Sequence, residues 1–85
     1  MGNSIEVYKI KNINGIKIYI NDILHLYITY KDNFSFQSYI DKDKNDNSKY
    51  MYYIEYYFDG QTIETGYKNK EDWENILKQI SNILI

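Results

Sequence analysis

Residues that could catalyse a reaction or bind a metal are few and scattered in this sequence. His25 is the only histidine and there is no cysteine, so the usual ligands of zinc and the usual Cys–His nucleophile pair are missing. Glu55 and Glu64 could meet across a hairpin as paired carboxylates. A glycosidase needs a cleft around such a pair, and a sheet with one helix has little room for it. We expect a structural His25, no enzymatic activity and no cofactor.

One acidic stretch partly matches a calcium-binding loop. Asp41, Asp43 and Asn45 follow the spacing of that loop's first ligands. The sixth position requires glycine, and this chain has Asp46 there. Residues 41–49 contain no apolar side chain, which is typical of solvent-exposed connections. We therefore predict a mobile loop over 41–49 and no metal site.

Tyrosine is the strongest remaining signal, with eleven residues among 85. Tyrosine covers a large area at low rotamer cost and offers a hydroxyl, so it is enriched in protein interfaces. Codon bias and strand propensity are an alternative explanation of the excess. Strand alternation places five tyrosines on the face opposite the isoleucines, and these form the predicted protein-binding surface: Tyr19, Tyr27, Tyr39, Tyr53 and Tyr57.

Lysines near the first predicted turn suggest a second kind of site. Lys9, Lys11 and Lys17 are expected to converge with Tyr19 on the outer face of the first hairpin. Such a patch could hold the phosphate of a small nucleotide while the base stacks on the ring. The net charge of −2 and the absence of arginine argue against binding to duplex nucleic acid.

The first two strands pair through the stretch NINGIKIYIND. Apolar residues alternate in Ser4–Asn12 and again from Ile16 to Ile20, which predicts two strands. A two-residue turn at Asn14 and Gly15 would place lysines on the apolar face. We therefore expect a three-residue loop over 13–15, which pairs Ile10 with Ile18.

Four further strands and one helix are predicted after residue 22. The strands are Ile23–Tyr30, Phe34–Ile40, Tyr50–Phe58 and Gln61–Tyr67. In the last hairpin two registers stay open, because a two-residue loop opposes Glu55 to Glu64 and a four-residue loop opposes Glu55 to Gly66.

Asn69 is predicted to cap the helix, with Asp72 three residues later. Apolar residues then follow helical spacing: Trp73, Ile76, Leu77, Ile80, Ile83 and Leu84.

These elements predict one α+β domain over residues 1–85: a mostly antiparallel sheet of five to six strands, arranged as a meander, with the C-terminal helix packed on one face. Six strands make a sheet roughly 25 Å wide, whereas one helix is about 10 Å across. The sheet must therefore curl into a partial barrel, dimerise, or leave apolar surface for a partner.

The size and residue usage suggest an origin and a partner. Ile, Lys, Asn and Tyr are abundant while Arg, Ala, Pro and Cys are absent, which indicates an A/T-rich genome. No apolar run approaches the roughly 20 residues of a membrane span, and the start MGNSIEVYK lacks a signal-peptide core. We expect a cytoplasmic protein.

The chain resembles the small anti-defence proteins, such as anti-CRISPR proteins, of phages and mobile elements in A/T-rich bacteria. The resemblance rests on size, acidity and residue usage, and on no motif. It implies a non-enzymatic inhibitor that binds a host defence protein, or a sponge that sequesters a nucleotide signal. A structural homo-oligomer, in its simplest form a homodimer, is the third class we consider.

Overall fold

The computed structural model describes residues 2–84, with side chains described for 2–82. The strands and the helix are β1 (Ser4–Ile10), β2 (Ile13–Ile20), β3 (Ile23–Tyr30), β4 (Ser35–Lys42), β5 (Tyr50–Phe58), β6 (Gln61–Tyr67) and α1 (Lys70–Leu84). The α+β class, the six antiparallel strands and the C-terminal helix are confirmed. Within residues 2–84 no helix is long and apolar enough to cross a membrane.

The six strands divide into two antiparallel sheets of three, in the orders β1-β2-β3 and β4-β5-β6. The division falls between β3 and β4, where Asn33 takes a φ of 53°. The backbone N–H of Lys31 donates to the Asp59 carboxylate at 3.2 and 3.4 Å, which ties this connection to the β5–β6 turn. The chain thus crosses to the second sheet instead of extending the first.

The first hairpin turns earlier than the sequence predicted. Ile10 pairs with Ile13, and Ile5 pairs with Ile18, so the turn consists of Lys11 and Asn12 and the three-residue loop over 13–15 is wrong. Lys11 takes a φ of 56°, a left-handed conformation that suits tight hairpin turns. The isoleucines of β1 and β2 therefore pair differently from the prediction. This pairing decides which side chains lie on each face of the sheet.

Gly15 is not a turn residue but lies inside β2, directly opposite Tyr8. A Cβ at Gly15 would lie 1.9 Å from Cζ of Tyr8. The glycine leaves the space in which the Tyr8 ring lies over the neighbouring strand. Gly15 thus allows the Tyr8 ring to pack closely on β2 and does not reverse the chain.

The last hairpin resolves the two registers that the sequence left open. Asp59 and Gly60 form a two-residue turn with φ values of 47° and 73°. Glu55 consequently lies opposite Glu64, which is the like-charge pairing. The rest of the sheet must compensate for this repulsion.

The core lies between the two sheets and the helix. It consists of Ile16, Ile18, Ile28, Ile54, Tyr56, Phe58, Tyr67, Ile76 and Ile80. Each sheet covers the apolar face of the other, so one helix does not have to cover six strands. This packing removes the coverage problem that the sequence posed, because stacked sheets can bury their facing side chains at a spacing of about 10 Å.

The helix begins with a cap at Asn69 and is bound to the second sheet through Trp73. The Asn69 side chain accepts from the Glu71 N–H at 2.9 Å, which confirms the cap, while Asp72 binds Asn3 instead. The Trp73 indole N–H donates to the Tyr53 carbonyl at 3.0 Å. Of the predicted apolar stripe, Ile83 and Leu84 have side chains outside the described part.

Replacing Trp73 with alanine should destabilise the fold strongly. The change removes a large side chain that packs on the core together with the hydrogen bond from its indole N–H. We expect the free energy of unfolding to fall by about 3–5 kcal/mol in urea titrations. Lys78→Ala, an exposed change on the same helix, is the control. Equal midpoints for the two variants would show that the helix is not integral.

Removing the hydroxyl of Tyr56 should stabilise the fold. The Tyr56 ring is fully buried, and its hydroxyl lies beside those of Thr65 and Tyr67. Within the described residues this hydroxyl makes no hydrogen bond of normal geometry. An unpaired buried hydroxyl is costly, so Tyr56→Phe should raise the unfolding free energy by about 1 kcal/mol. A loss of stability in the same titration would mean that the hydroxyl is paired in solution.

Candidate functional site

Each sheet has a face turned away from the core, and these two faces hold the candidate sites. Residues opposite one another in an antiparallel ladder share a face. The first outer face, on β1–β2–β3, comprises Ser4, Glu6, Tyr8, Ile10, Ile13, Gly15, Lys17, Tyr19, Leu24, Tyr27 and Thr29. The second outer face, on β4–β5–β6, comprises Ser35, Gln37, Tyr39, Asp41, Met51, Tyr53, Glu55, Tyr57, Thr62, Glu64 and Gly66.

The centre of the first outer face is a pair of tyrosines beneath a lysine. The Tyr8 hydroxyl donates to the Tyr27 hydroxyl at 2.5 Å, and the ring centroids are 5.9 Å apart. The Lys17 ammonium lies 5.5 Å from the Tyr8 centroid and 5.6 Å from the Tyr27 centroid. It also lies 3.7 Å from Glu6. The cluster therefore presents aromatic edges, one cation and a hydroxyl to the solvent.

Burial, and then the hydrogen bond with Tyr27, raises the pKa of Tyr8 to about 12. The Tyr8 phenol is thus neutral at physiological pH and keeps its proton for Tyr27. The Tyr27 hydroxyl accepts that bond, and as a hydroxyl it can also act as a donor toward the solvent side. The tyrosine pair is therefore ready to donate a hydrogen bond to a bound molecule.

Aliphatic side chains flank this centre at both ends. Ile10 and Ile13 form the last pair of the β1–β2 ladder and are 62% and 40% exposed. At the other end Leu24 lies opposite Tyr19 and is 50% exposed, as is Tyr27. Four of the eight exposed large hydrophobic side chains within the described residues thus lie on the first outer face.

A bulge in β3 explains why Leu24 faces outward. The register shifts between Ile18 and Tyr19, so His25 has no direct partner on β2. Its ring lies 5.5 Å from that of Tyr67 in the core cluster. The bulge reverses the strand's alternation at this point, so Leu24 lies on the same face as Tyr27.

The predicted lysine patch does not assemble. Lys9 lies opposite Asn14, on the inward side of β1, and Lys11 occupies the turn. Only Lys17 lies on the first outer face, opposite Glu6. The predicted convergence is therefore wrong, because the real register of the hairpin differs by an odd number of residues from the expected one. An odd shift sends lysines on neighbouring strands to opposite faces.

The second outer face is organised around its like-charged glutamates. The Glu64 carboxylate accepts hydrogen bonds from the Lys44 ammonium and from the Tyr39 hydroxyl. Glu55 accepts from Gln37 at 2.9 Å and from the Tyr57 hydroxyl. The bond from Lys44, and then that from Tyr39, lowers the pKa of Glu64 below its usual range. The repulsion is thus offset by donors supplied from the same face.

Tyr53 lies on the second outer face, where the alternation placed it, but only 5% of it is exposed. Its ring stacks on that of Tyr39, with centroids 5.1 Å apart and an angle of 20°. The Lys44 ammonium lies 5.7 Å from the Tyr53 centroid. Gly66 is directly opposite, and a Cβ there would lie 3.3 Å from Cε1 of Tyr53. Tyr53 is therefore covered by Tyr39 and Lys44 and is not free to contact a partner.

The acidic stretch that resembled a calcium loop uses its carboxylates internally. Asp41 and Lys42 belong to β4, and the loop is closed by a bond from the Asp43 N–H to the Lys49 carbonyl at 2.8 Å. The Asp43 carboxylate accepts a hydrogen bond from the Asn45 N–H, and the Asp46 carboxylate accepts one from the Ser48 N–H at 3.0 Å. Among the described residues no three His, Asp or Glu side chains are grouped to hold a metal. Mobility of residues 41–49 stays a prediction.

Comparisons of the chain with protein-family models, curated proteins and solved structures found no match. The sequence pointed to Tyr19 and Tyr27, and it missed Tyr8, Ile10, Ile13 and Leu24. Recognising the Lys11–Asn12 turn would have found the first three, because it sets which side of β1 faces outward.

The stability of the fold should depend on pH through the ionisation of Glu64. Its folded-state pKa is lowered, so its ionised form stabilises the fold above the ordinary pKa near 4.5. That contribution is lost as the pH falls through the lower, folded-state pKa. In Glu64→Gln, urea midpoints should fall less between pH 5 and pH 2.5 than in the wild type. Glu71→Gln on the helix is the matched control. Parallel pH curves for wild type and Glu64→Gln would contradict the assignment.

Proposed function

We propose that this chain is a non-enzymatic binding protein that holds a protein partner on its first outer face. The observation that carries the proposal is the clustering of exposed apolar side chains around the Tyr8–Tyr27 pair. Apolar side chains left in water on one contiguous face favour association, since covering them releases ordered water. Aromatic residues at the centre of such a patch are typical of binding hot spots.

The second outer face is a weaker candidate for the same role. The hydroxyls of Tyr39 and Tyr57 are bonded to Glu64 and Glu55, and Tyr53 is covered. None of the exposed large hydrophobic side chains of the described residues lies on this face. A partner would have to break existing hydrogen bonds for little apolar burial, so this face contributes mainly to stability.

The chemistry of the first outer face defines the partner surface. Ile10 and Ile13 at one end and Leu24 at the other require apolar side chains opposite them. Lys17 in the middle favours a carboxylate that competes with Glu6, and Tyr27 can donate a hydrogen bond to it. The partner is thus a protein surface with an acidic centre and apolar flanks. In size and residue usage the chain resembles anti-defence proteins, so we propose a host defence protein that is inhibited by occlusion.

A nucleotide sponge receives less support from the same face. Polyphosphate recognition draws on several cations or on a row of backbone N–H groups. The first outer face supplies Lys17 alone, and Glu6 lies beside it. A single sheet face also lets a base stack on one side only. A protein partner therefore fits the geometry better.

The test compares two double substitutions of equal charge, one on the first outer face and one away from it. Ile10→Asp with Leu24→Asp disrupts the first outer face, whereas Thr62→Asp on β6 with Asn75→Asp on the helix adds the same charges elsewhere. All four positions are exposed. Immobilised wild type and both variants are incubated with lysate of an A/T-rich Gram-positive host, and retained proteins are identified by mass spectrometry. The partner is then purified for calorimetry.

We expect a protein retained by the wild type and the control variant and lost with the first-face variant, with affinity reduced at least about a hundredfold. Gly15→Ala gives a gentler change, because its methyl group displaces the Tyr8 ring while every polar group is kept. It should weaken binding about tenfold. Equal retention by both double variants, or salt-sensitive nucleotide binding abolished by Lys17→Glu, would overturn the proposal.

A further inference from the structure

The two sheets leave four strand edges, and one of them lacks the usual protection against pairing. The edge strands are β1 and β3 in the first sheet and β4 and β6 in the second. β1 and β6 both contact the helix, and β3 carries the bulge at His25. Bulges, prolines, central charges and covering elements normally prevent an edge from recruiting another strand.

β4 has none of these features. It pairs with β5 without a break over eight residues, from Ser35 to Lys42. Its sequence, SFQSYIDK, contains no proline, and its charges are confined to the C-terminal end. Ile40 is 52% exposed although its position in the register turns it to the apolar side of the sheet. About half of the N–H and C=O groups of such an edge point to solvent.

We propose that β4 pairs with β4 of a second copy of this chain, antiparallel, about a two-fold axis that passes through Ser38. The occupant is identified by the self-complementarity of the strand. Two-fold pairing requires residues of equal parity to oppose one another, so that both apolar faces lie on the same side. With the axis at Ser38, Phe36 of each copy lies opposite the second copy's Ile40.

This register covers the exposed side chain and avoids electrostatic conflict. Ile40 gains an aromatic neighbour in Phe36 on the apolar side. On the other side Gln37 meets Tyr39, and Asp41 meets Ser35, so no like charges are opposed. Both copies make every one of these contacts, as a two-fold interface requires.

Neighbouring registers fit less well. An axis at Tyr39 would put Phe36 opposite Lys42 and leave Ile40 opposite Ser38. An axis at Gln37 would shift Ile40 beyond the start of β4, opposite Phe34. Each alternative leaves an apolar side chain poorly paired or shortens the ladder. The Ser38 axis uses the central part of the strand and pairs apolar with apolar residues.

The dimer goes beyond the proposed function and does not depend on it. It joins the two β4–β5–β6 sheets into one six-stranded sheet. The two first outer faces lie on separate sheets away from the new junction, so the dimer presents two copies of the binding surface. Such a dimer would bind a multimeric partner with enhanced avidity.

A single introduced cysteine tests the register directly, because the chain has none of its own. In Ser38→Cys the two cysteines face each other across the axis, with Cα atoms about 4.5–5.5 Å apart, which is within disulfide reach. In Ser35→Cys, the matched control on the same strand, they are roughly 20 Å apart. Both positions are exposed. Crosslinking under mild oxidation is followed by non-reducing electrophoresis.

We expect Ser38→Cys to form a covalent dimer at least about tenfold faster than Ser35→Cys, in line with the distances. Sedimentation of the wild type should show a dimer whose dissociation constant rises about tenfold or more in Ile40→Lys. Ile23→Lys, on the β3 edge and 71% exposed at Ile23 in the wild type, should leave it unchanged.

A wild type that stays monomeric at millimolar concentration, or equal crosslinking of the two cysteine variants, overturns the proposal. A dimer that tolerates Ile40→Lys but not Ile23→Lys places the interface on β3 and also overturns it. Failure here leaves partner binding on the first outer face intact, because the two are read from different variants.

Discussion

A two-residue turn at Lys11 and Asn12 fixes the register of β1 against β2, and much of the first sheet depends on it. Side chains of a strand alternate between faces, so a shift by an odd number of residues would exchange the buried and exposed sets. With this turn, Ile5 and Ile18 meet on the inward side. Tyr8 is directed outward, over Gly15. The core and the candidate binding surface are thus two results of one local backbone conformation.

The second constraint is mutual coverage. An apolar sheet face left in water costs free energy, and here each sheet covers the other while the helix closes one side. Because the core is filled in this way, the tyrosines on the outer faces are not needed there. They are available for other contacts, and the two faces use them differently.

The two outer faces repeat one arrangement with different polar partners. In each, a tyrosine lies opposite a glycine, with a lysine ammonium above the ring: Tyr8, Gly15 and Lys17 on one face, and Tyr53, Gly66 and Lys44 on the other. On the second face the glutamate pair engages the surrounding hydroxyls and the lysine, which makes a closed network. On the first outer face the side chains around the cluster are aliphatic and cannot form hydrogen bonds with it. This difference directs the proposed partner to the first outer face, while the free edge of β4 is left for self-association.

The sequence alone determined the elements, because strand and helix periodicities are local. Six strands, the Asn69 cap and the apolar positions of the helix all follow from neighbours a few residues apart. It also located Tyr19 and Tyr27. The tertiary structure decided the registers, the division into two sheets and the exposure of each tyrosine. The Asn14–Gly15 pair is a standard turn signal, and only the ring of Tyr8 against Gly15 shows why the chain does not turn there. Tyr53 and Tyr27 share the same alternation, yet one is covered and the other exposed, because burial depends on residues distant in the chain.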